Sequence, residues 1–126
     1  MIPLCALNDI PDGASKGVLP GERGRDRVLL VRQDQRIYGY INNCPHYDRA
    51  PLGWKRDAFL NGDRTHIMCA AHGALFGIAD GVCELGPCLG QALTPVPLEV
   101  QDGIIFLNSS LEALFKPIAQ AKASQT

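Results

Sequence analysis

Cys44-Pro45-His46 and Cys69-Ala70-Ala71-His72 each set one thiol beside one imidazole. Together they offer two sulfur and two nitrogen donors, a set that binds transition metals. Two chemistries fit. One is a four-coordinate structural zinc with two cysteines and two histidines. The other is a cluster of two irons and two sulfides, with the thiolates on one iron and the imidazoles on the other. The single residue inside Cys44-Pro45-His46 is shorter than zinc-finger spacing. That favours the cluster, in which neutral imidazoles replace thiolates and make the centre easier to reduce.

Such ligands need short loops carried on strands. Ile41-Asn42-Asn43 leads into Cys44, and Ile67-Met68 leads into Cys69. Gly73 after His72 and Pro45 within the first pair let backbone run close to a bulky inorganic group. Val28-Leu29-Leu30-Val31 passes through Gln33-Asp34-Gln35 to Ile37-Tyr38-Gly39-Tyr40-Ile41, which reads as a hairpin. Val96-Pro97-Leu98-Glu99-Val100 passes through Asp102-Gly103 to Ile104-Ile105-Phe106-Leu107, a second hairpin with a good turn signal. His66 to Cys69 and Ala74 to Phe76 suggest a third, and Leu4 to Leu7 a first strand. Helical periodicity is nearly absent before residue 109. There Ser109 and Glu112 have capping-box spacing, so a short helix is predicted over 110–116, limited by Pro117. Residues 119–126 are small and polar and read as a frayed tail. Short strands with Gly and Pro turns predict an all-β antiparallel barrel or sandwich with two ligand-bearing loops. It spans 1–108, followed by the short helix and tail over 109–126.

The chain has 126 residues, 46% of them hydrophobic, and a formal net charge of −1. That length suits one domain, and the charge favours neither nucleic acid nor an anionic membrane. No apolar run approaches the ~20 residues of a membrane-spanning helix. Met1-Ile2-Pro3-Leu4 lacks the basic start and apolar run of a secretory signal. Five cysteines leave at least one without an internal partner, and their spacing suits metal binding better than a disulfide framework. A reducing, cytoplasmic setting is expected.

With these residues in view, the chain resembles a Rieske-type [2Fe–2S] ferredoxin, of the kind that serves ring-hydroxylating dioxygenases. The resemblance runs from about Leu4 to Leu107. It rests on Asn42-Asn43-Cys44-Pro45-His46, on Arg49-Ala50-Pro51-Leu52 and on Cys69-Ala70-Ala71-His72-Gly73-Ala74-Leu75-Phe76. Asp80-Gly81, Gly86-Pro87-Cys88 and Leu93 extend it. It implies that Cys44 and Cys69 hold one iron and His46 and His72 the other. It implies a covering loop at Gly86-Pro87, with Leu85 and Leu89 shielding the site. One departure stands out. The 22 residues from Tyr47 to Met68 exceed the usual family interval, and residues 54–63 hold the insertion, with Asn61-Gly62-Asp63 a strong turn. Such an insertion costs little if its ends stay together.

Respiratory Rieske proteins share the ligands but add a cysteine to each cluster loop, joined as a disulfide. Arg49 and Ala71 stand at those positions here, so that bridge cannot form. Those proteins also direct a serine and a tyrosine hydroxyl at sulfur, where this chain has Ala74 and Phe76. Fewer donors to sulfur stabilise the reduced cluster less. The resemblance therefore implies a potential near the lower end of the Rieske span, roughly −150 mV.

The remaining candidates read as ordinary structure. His66 lies on a strand, Cys5 in the core, and Cys83 and Cys88 are small buried thiols, with a disulfide between them as the alternative. Tyr47, Leu75 and Phe76 suit cluster lining or plain core packing. Arg23, Arg25, Arg27, Arg49, Lys55 and Arg56 are solvated cations, with a docking patch as the sharper reading. His66 is the one histidine outside the two pairs, so the ligands of a mononuclear oxygenase iron cannot be assembled. No Gly-x-Gly-x-x-Gly fingerprint for a flavin or nicotinamide is present. The resemblance thus implies a one-electron carrier, not an enzyme by itself, between a flavin-containing reductase and a terminal oxygenase. The rivals are a small Rieske-like subunit of an assimilatory nitrite reductase and a metal-stabilised module without a redox cycle.

Overall fold

The computed structural model describes residues 1–21, 25–43, 52–53, 57–69, 73–111 and 113. Every strand pairing within it is antiparallel, and three three-stranded sheets result. Strands β1 (Ile2–Ala6), β9 (Ile104–Leu107) and β8 (Leu98–Gln101) form one, in the order β1-β9-β8. β2 (Ser15–Pro20), β3 (Asp26–Gln33) and β4 (Arg36–Ile41) form the second. β5 (His66–Met68), β6 (Leu75–Gly77) and β7 (Cys83–Leu85) form the third, which carries the second ligand pair's flanks. This is the expected all-β antiparallel architecture.

Both strong hairpins form where their turns require. Asp34 and Gln35 have φ of 53° and 66°, and Asp102 and Gly103 have 52° and 76°. Positive φ at both central residues is the type I′ geometry, whose twist matches that of the flanking strands. Val28 then faces Ile41 across β3–β4, and Leu98 faces Leu107 across β8–β9. The first two sheets meet where Tyr40 bridges Pro95, with the Ile41 N–H donating to the Thr94 carbonyl at 2.9 Å and the Val96 N–H to the Gly39 carbonyl at 3.0 Å.

Strand β3 explains why the core has two halves. Side chains alternate along a strand, and Val28 and Leu30 join Ile10, Val18, Ile41, Val96, Ile105 and Leu107 on one side. Leu29 and Val31 join the other side, with Tyr40, Leu52, Phe59, Ile67, Cys69 and Phe76. That second half holds Leu52, Cys69 and Ala74, which lie within or flank the two Cys/His pairs in sequence.

Two strands were not legible beforehand. β2 reads Ser-Lys-Gly-Val-Leu-Pro, and its glycine and proline lower any strand expectation. It survives as an edge strand beside the long apolar β3. β7 has only three residues, and its pairing with β6 shifts register between Leu75 and Phe76. At the far end Leu111 and Ala113 are helical, but the cap differs from expectation. Ser110 Oγ accepts from the Ala113 N–H at 3.0 Å, whereas Ser109 turns its hydroxyl to the Ser110 carbonyl. A hydroxyl caps the N–H two or three residues ahead, and Ser110 stands nearest the first helical turn. Glu112 and residues 114–126 lie outside the described residues.

Candidate metal centre

The segment bearing the first candidate ligands follows β4 at Ile41, and the described chain resumes at Leu52. Asn42 binds both sides of it. Its Nδ2 donates to the Asp26 carbonyl at 2.9 Å, and its Oδ1 accepts the Leu52 N–H at 2.8 Å. Its own N–H donates to the Arg27 carbonyl at 2.9 Å. One amide side chain thus holds the segment's two ends together and ties them to β3. Cys44, His46 and Arg49 lie between these ends, outside the described residues.

The second segment is pinned just as tightly. Cys69 follows β5 and is fully buried. Its N–H donates to the Ala74 carbonyl at 2.9 Å, and its carbonyl accepts the Gly73 N–H at 2.7 Å. Gly73 has φ of 70°, a conformation costly for residues with a Cβ. His72 and Ala71 lie within this turn, outside the described residues. Leu52, Cys69 and Ala74 share one half of the core. The ends of both ligand-bearing segments therefore converge on one region, as a centre shared between them requires.

A third piece packs against Ala74. Gly86 has φ of 115°, and a Cβ there would lie 2.8 Å from Ala74 Cα. The loop after β7 thus rests its backbone on Ala74, just beyond the second Cys-x-x-His pair. Leu85 and Leu89, expected as shields, are 60% and 68% exposed, and the ligand pairs they would shield lie largely outside the described residues. Cys83 and Cys88 take the inward positions. Both are buried thiols, as expected.

The insertion is docked. Ser15 Oγ donates to the Asp57 carbonyl at 2.7 Å, and the Gly17 N–H donates to Asp57 Oδ1 at 2.7 Å. Phe59 is buried, and the Met68 N–H donates to its carbonyl at 2.9 Å. Asn61 Oδ1 accepts the N–H groups of Thr65 and His66 at 2.9 and 3.1 Å, shaping the expected turn. Asp57 and Phe59 therefore bond to β2, and residues 59–61 pair antiparallel with β5 across the turn, with Leu60 bridging Ile67. Sequence reasoning missed this clamp and the Asn42 staple. An asparagine at the end of a strand was the available signal for the latter. Residues 54–56 lie outside the described set, as do Arg23, Tyr47 and Arg49.

Two groups have shifted protonation. Tyr40 is only 3% exposed, and its hydroxyl donates to the Ile78 carbonyl at 2.6 Å. Burial pushes it up to about 12, helped by the Asp80 carboxylate and Tyr38. Burial also raises the Cys5 thiol, with Asp9 adding and Lys16 opposing. Cys5 is half-buried against the other half of the core. His66 Nε2 lies 3.2 Å from Glu84 Oε1, and its Nδ1 lies 2.9 Å from Thr65 Oγ1, so it ties β5 to β7.

No helix among the described residues is long and apolar enough to cross a membrane. In architecture the chain is similar to a ferredoxin of Sphingomonas yanoikuyae B1, with a TM-score of 0.64 and 24% identity, covering 86% of this chain and 98% of that one. It is similar also to the carbazole 1,9a-dioxygenase ferredoxin of Nocardioides aromaticivorans IC177, with a TM-score of 0.63 and 20% identity over 86% of this chain and 97% of that one. A chain from the complex of reduced oxygenase and oxidized ferredoxin in carbazole 1,9a-dioxygenase matches with a TM-score of 0.65 and 24% identity, over 84% of this chain and 90% of that one. In sequence, human apoptosis-inducing factor 3 is 29% identical over 113 residues, which are 88% of this chain. The chain spans 17% of the length of the curated relatives it matches. Residues 1–104 match the Rieske [2Fe-2S] domain. The chain belongs to that family.

Proposed function

We propose that this chain is a one-electron carrier between a flavin-containing reductase and a terminal oxygenase. A [2Fe–2S] cluster, when bound, supplies the reversible one-electron acceptance. Cys44 and Cys69 are the proposed thiolate ligands, and His46 and His72 the imidazole ligands. The carrying observation is that Leu52, Cys69 and Ala74 share one core cluster, with Gly86 packed against Ala74. The donor chemistry fits the cluster, since a buried thiol at the end of a strand is held rigidly by two backbone hydrogen bonds.

The chain's own residues do three things in this reading. Asn42 and the Cys69–Ala74 hydrogen bonds tie down the ends of the two segments that bear the proposed ligands. Gly86 lets backbone cover the site closely. Core residues Leu52, Phe76 and Ile67 keep water from the inner side. The electron-transfer domain in this reading is 1–108, with 109–126 a helix and tail, and the setting is cytoplasmic. The fold-level likeness to a ferredoxin from a complex with an oxygenase supports the choice of acceptor class.

The test is electron paramagnetic resonance of the dithionite-reduced protein, purified anaerobically. The expected result is a rhombic signal of a mixed-ligand diiron centre, lost in Cys69→Ser. A colourless protein that retains zinc and no acid-labile sulfide would overturn the reading.

A further inference from the structure

Cys83 and Cys88 hold their sulfurs 3.2 Å apart, with Cys88 Sγ–H aimed at Cys83 Sγ. Cys83 Sγ–H in turn points to the Leu85 carbonyl at 3.4 Å. Both residues are nearly fully buried, at 2% and 1% exposure. A disulfide needs roughly 2.05 Å between sulfurs, so the two atoms must approach by only about an ångström.

The backbone fixes this juxtaposition. The Cys83 N–H donates to the Gln91 carbonyl at 2.7 Å, and the Gly90 N–H donates to the Cys83 carbonyl at 3.3 Å. The Gln91 N–H donates to the Cys88 carbonyl at 2.8 Å. Cys83 is thus bound to the chain just beyond Cys88, and the two thiols cannot drift apart while the loop is folded. Every residue from Glu84 to Pro87 and from Leu89 to Ala92 is exposed. The pair is buried within a run of otherwise exposed residues, in the loop that rests on Ala74.

We propose that Cys83 and Cys88 are a redox-active dithiol, converted by hydroperoxides to an intramolecular disulfide that locks the loop bearing Gly86 and Pro87. The chemistry balances with hydrogen peroxide as oxidant. One sulfur attacks the O–O bond, giving a sulfenic acid and one water. The second sulfur displaces the hydroxyl, which leaves with the remaining thiol proton as a second water. Two S–H bonds are lost, one S–S bond forms, and the electron pair ends on oxygen. A thiol reductant reverses the step by exchange. The site chemistry is independent of the metal centre; only the consequence, a pinned cover over the second ligand segment, rests on the proposed function.

The test is peptide mapping of the full chain after graded hydrogen peroxide, with remaining thiols alkylated and iron and sulfide measured in the same samples. The expected result is a Cys83–Cys88 cross-linked peptide, loss of alkylation at both residues, and full recovery with dithiothreitol. In Cys88→Ser, dimedone should label Cys83, marking the sulfenic acid that has lost its resolving thiol. Alkylation persisting at both residues, sulfinic acid without a cross-link, or a link between two chains would overturn the proposal. The wild-type map decides the matter even if the variant does not fold. Cross-linking in protein that holds no iron sustains the dithiol while sinking the electron-carrier reading.

Discussion

The Asn42 side chain accepts the Leu52 N–H at 2.8 Å, closing the first ligand segment across ten positions of sequence. The same amide donates to the Asp26 carbonyl. Replacing it with alanine strands one N–H and one carbonyl that the amide now satisfies. Leaving such groups unsatisfied costs about 1–3 kcal/mol when they are buried. Asn42→Ala should therefore lower the denaturation midpoint and release iron faster to a chelator. Asn42→Asp keeps the acceptor for Leu52 but loses the donor to Asp26, and should fall between wild type and alanine. Chelator-dependent loss of visible absorption measures both. Equal rates in all three proteins would mean that the staple does not hold the segment.

How much of this could be read from residues alone follows from the range of the forces involved. The β3–β4 and β8–β9 hairpins are local, set by apolar runs and by turns at Asp34-Gln35 and Asp102-Gly103. The ligand pairs are legible for the same reason, since each lies within a few residues. Strand β2 is not local information. It exists because β3 offers it a ladder and Asp57, forty residues on, bonds to Gly17. The exposure of Leu85 and Leu89 was hidden as well. Hydrophobicity alone ranks leucine for burial, but the inward places of that loop go to Cys83 and Cys88.

Gly86 and Gly90 separate packing from backbone strain in the covering loop. Both have positive φ, 115° and 87°. A Cβ at Gly86 meets Ala74, whereas one at Gly90 meets nothing within 4 Å. Gly90→Ala should cost only the left-handed penalty of about 1–2 kcal/mol. Gly86→Ala should add overpacking of about 1–3 kcal/mol and lift the loop from the second ligand segment. Urea denaturation gives the stabilities, and bleaching by a chelator reports the cover. The expectation is that only Gly86→Ala bleaches markedly faster. Parallel behaviour of the two variants would locate the effect in the backbone alone.

Tyr40 should make the fold sensitive to alkali. Its phenol ionises near 10 in an unfolded chain and at about 12 in the fold. Below pH 10 both states hold the proton and the stabilisation is whole. As pH rises from 10 to 12, the unfolded chain loses its proton first, and stability falls by on the order of 2 kcal/mol. Tyr40→Phe should be less stable at neutral pH, because the Ile78 carbonyl loses its donor. Its stability should then vary less across that alkaline window than the wild type's. Denaturant midpoints at pH 8, 10 and 11.5 check both statements. A wild-type midpoint that holds steady to pH 11.5 would contradict them.

Ala74 and Phe76 give the most direct handle on redox potential. Both are fully buried and neither carries a hydroxyl. With those donors missing, the potential should fall near the bottom of the Rieske span, roughly −150 mV. Ala74→Ser and Phe76→Tyr each bring in one hydroxyl. A hydrogen bond to sulfur that favours the reduced state by about 1 kcal/mol raises a one-electron potential by about 40 mV. Each substitution should therefore shift the potential upward by that order, and the pair together by more. Protein-film voltammetry reads the shift. A buried hydroxyl that finds no acceptor lowers stability by about 1–3 kcal/mol. An unmoved potential with a lower denaturation midpoint would show that these side chains face the core and not the metal centre.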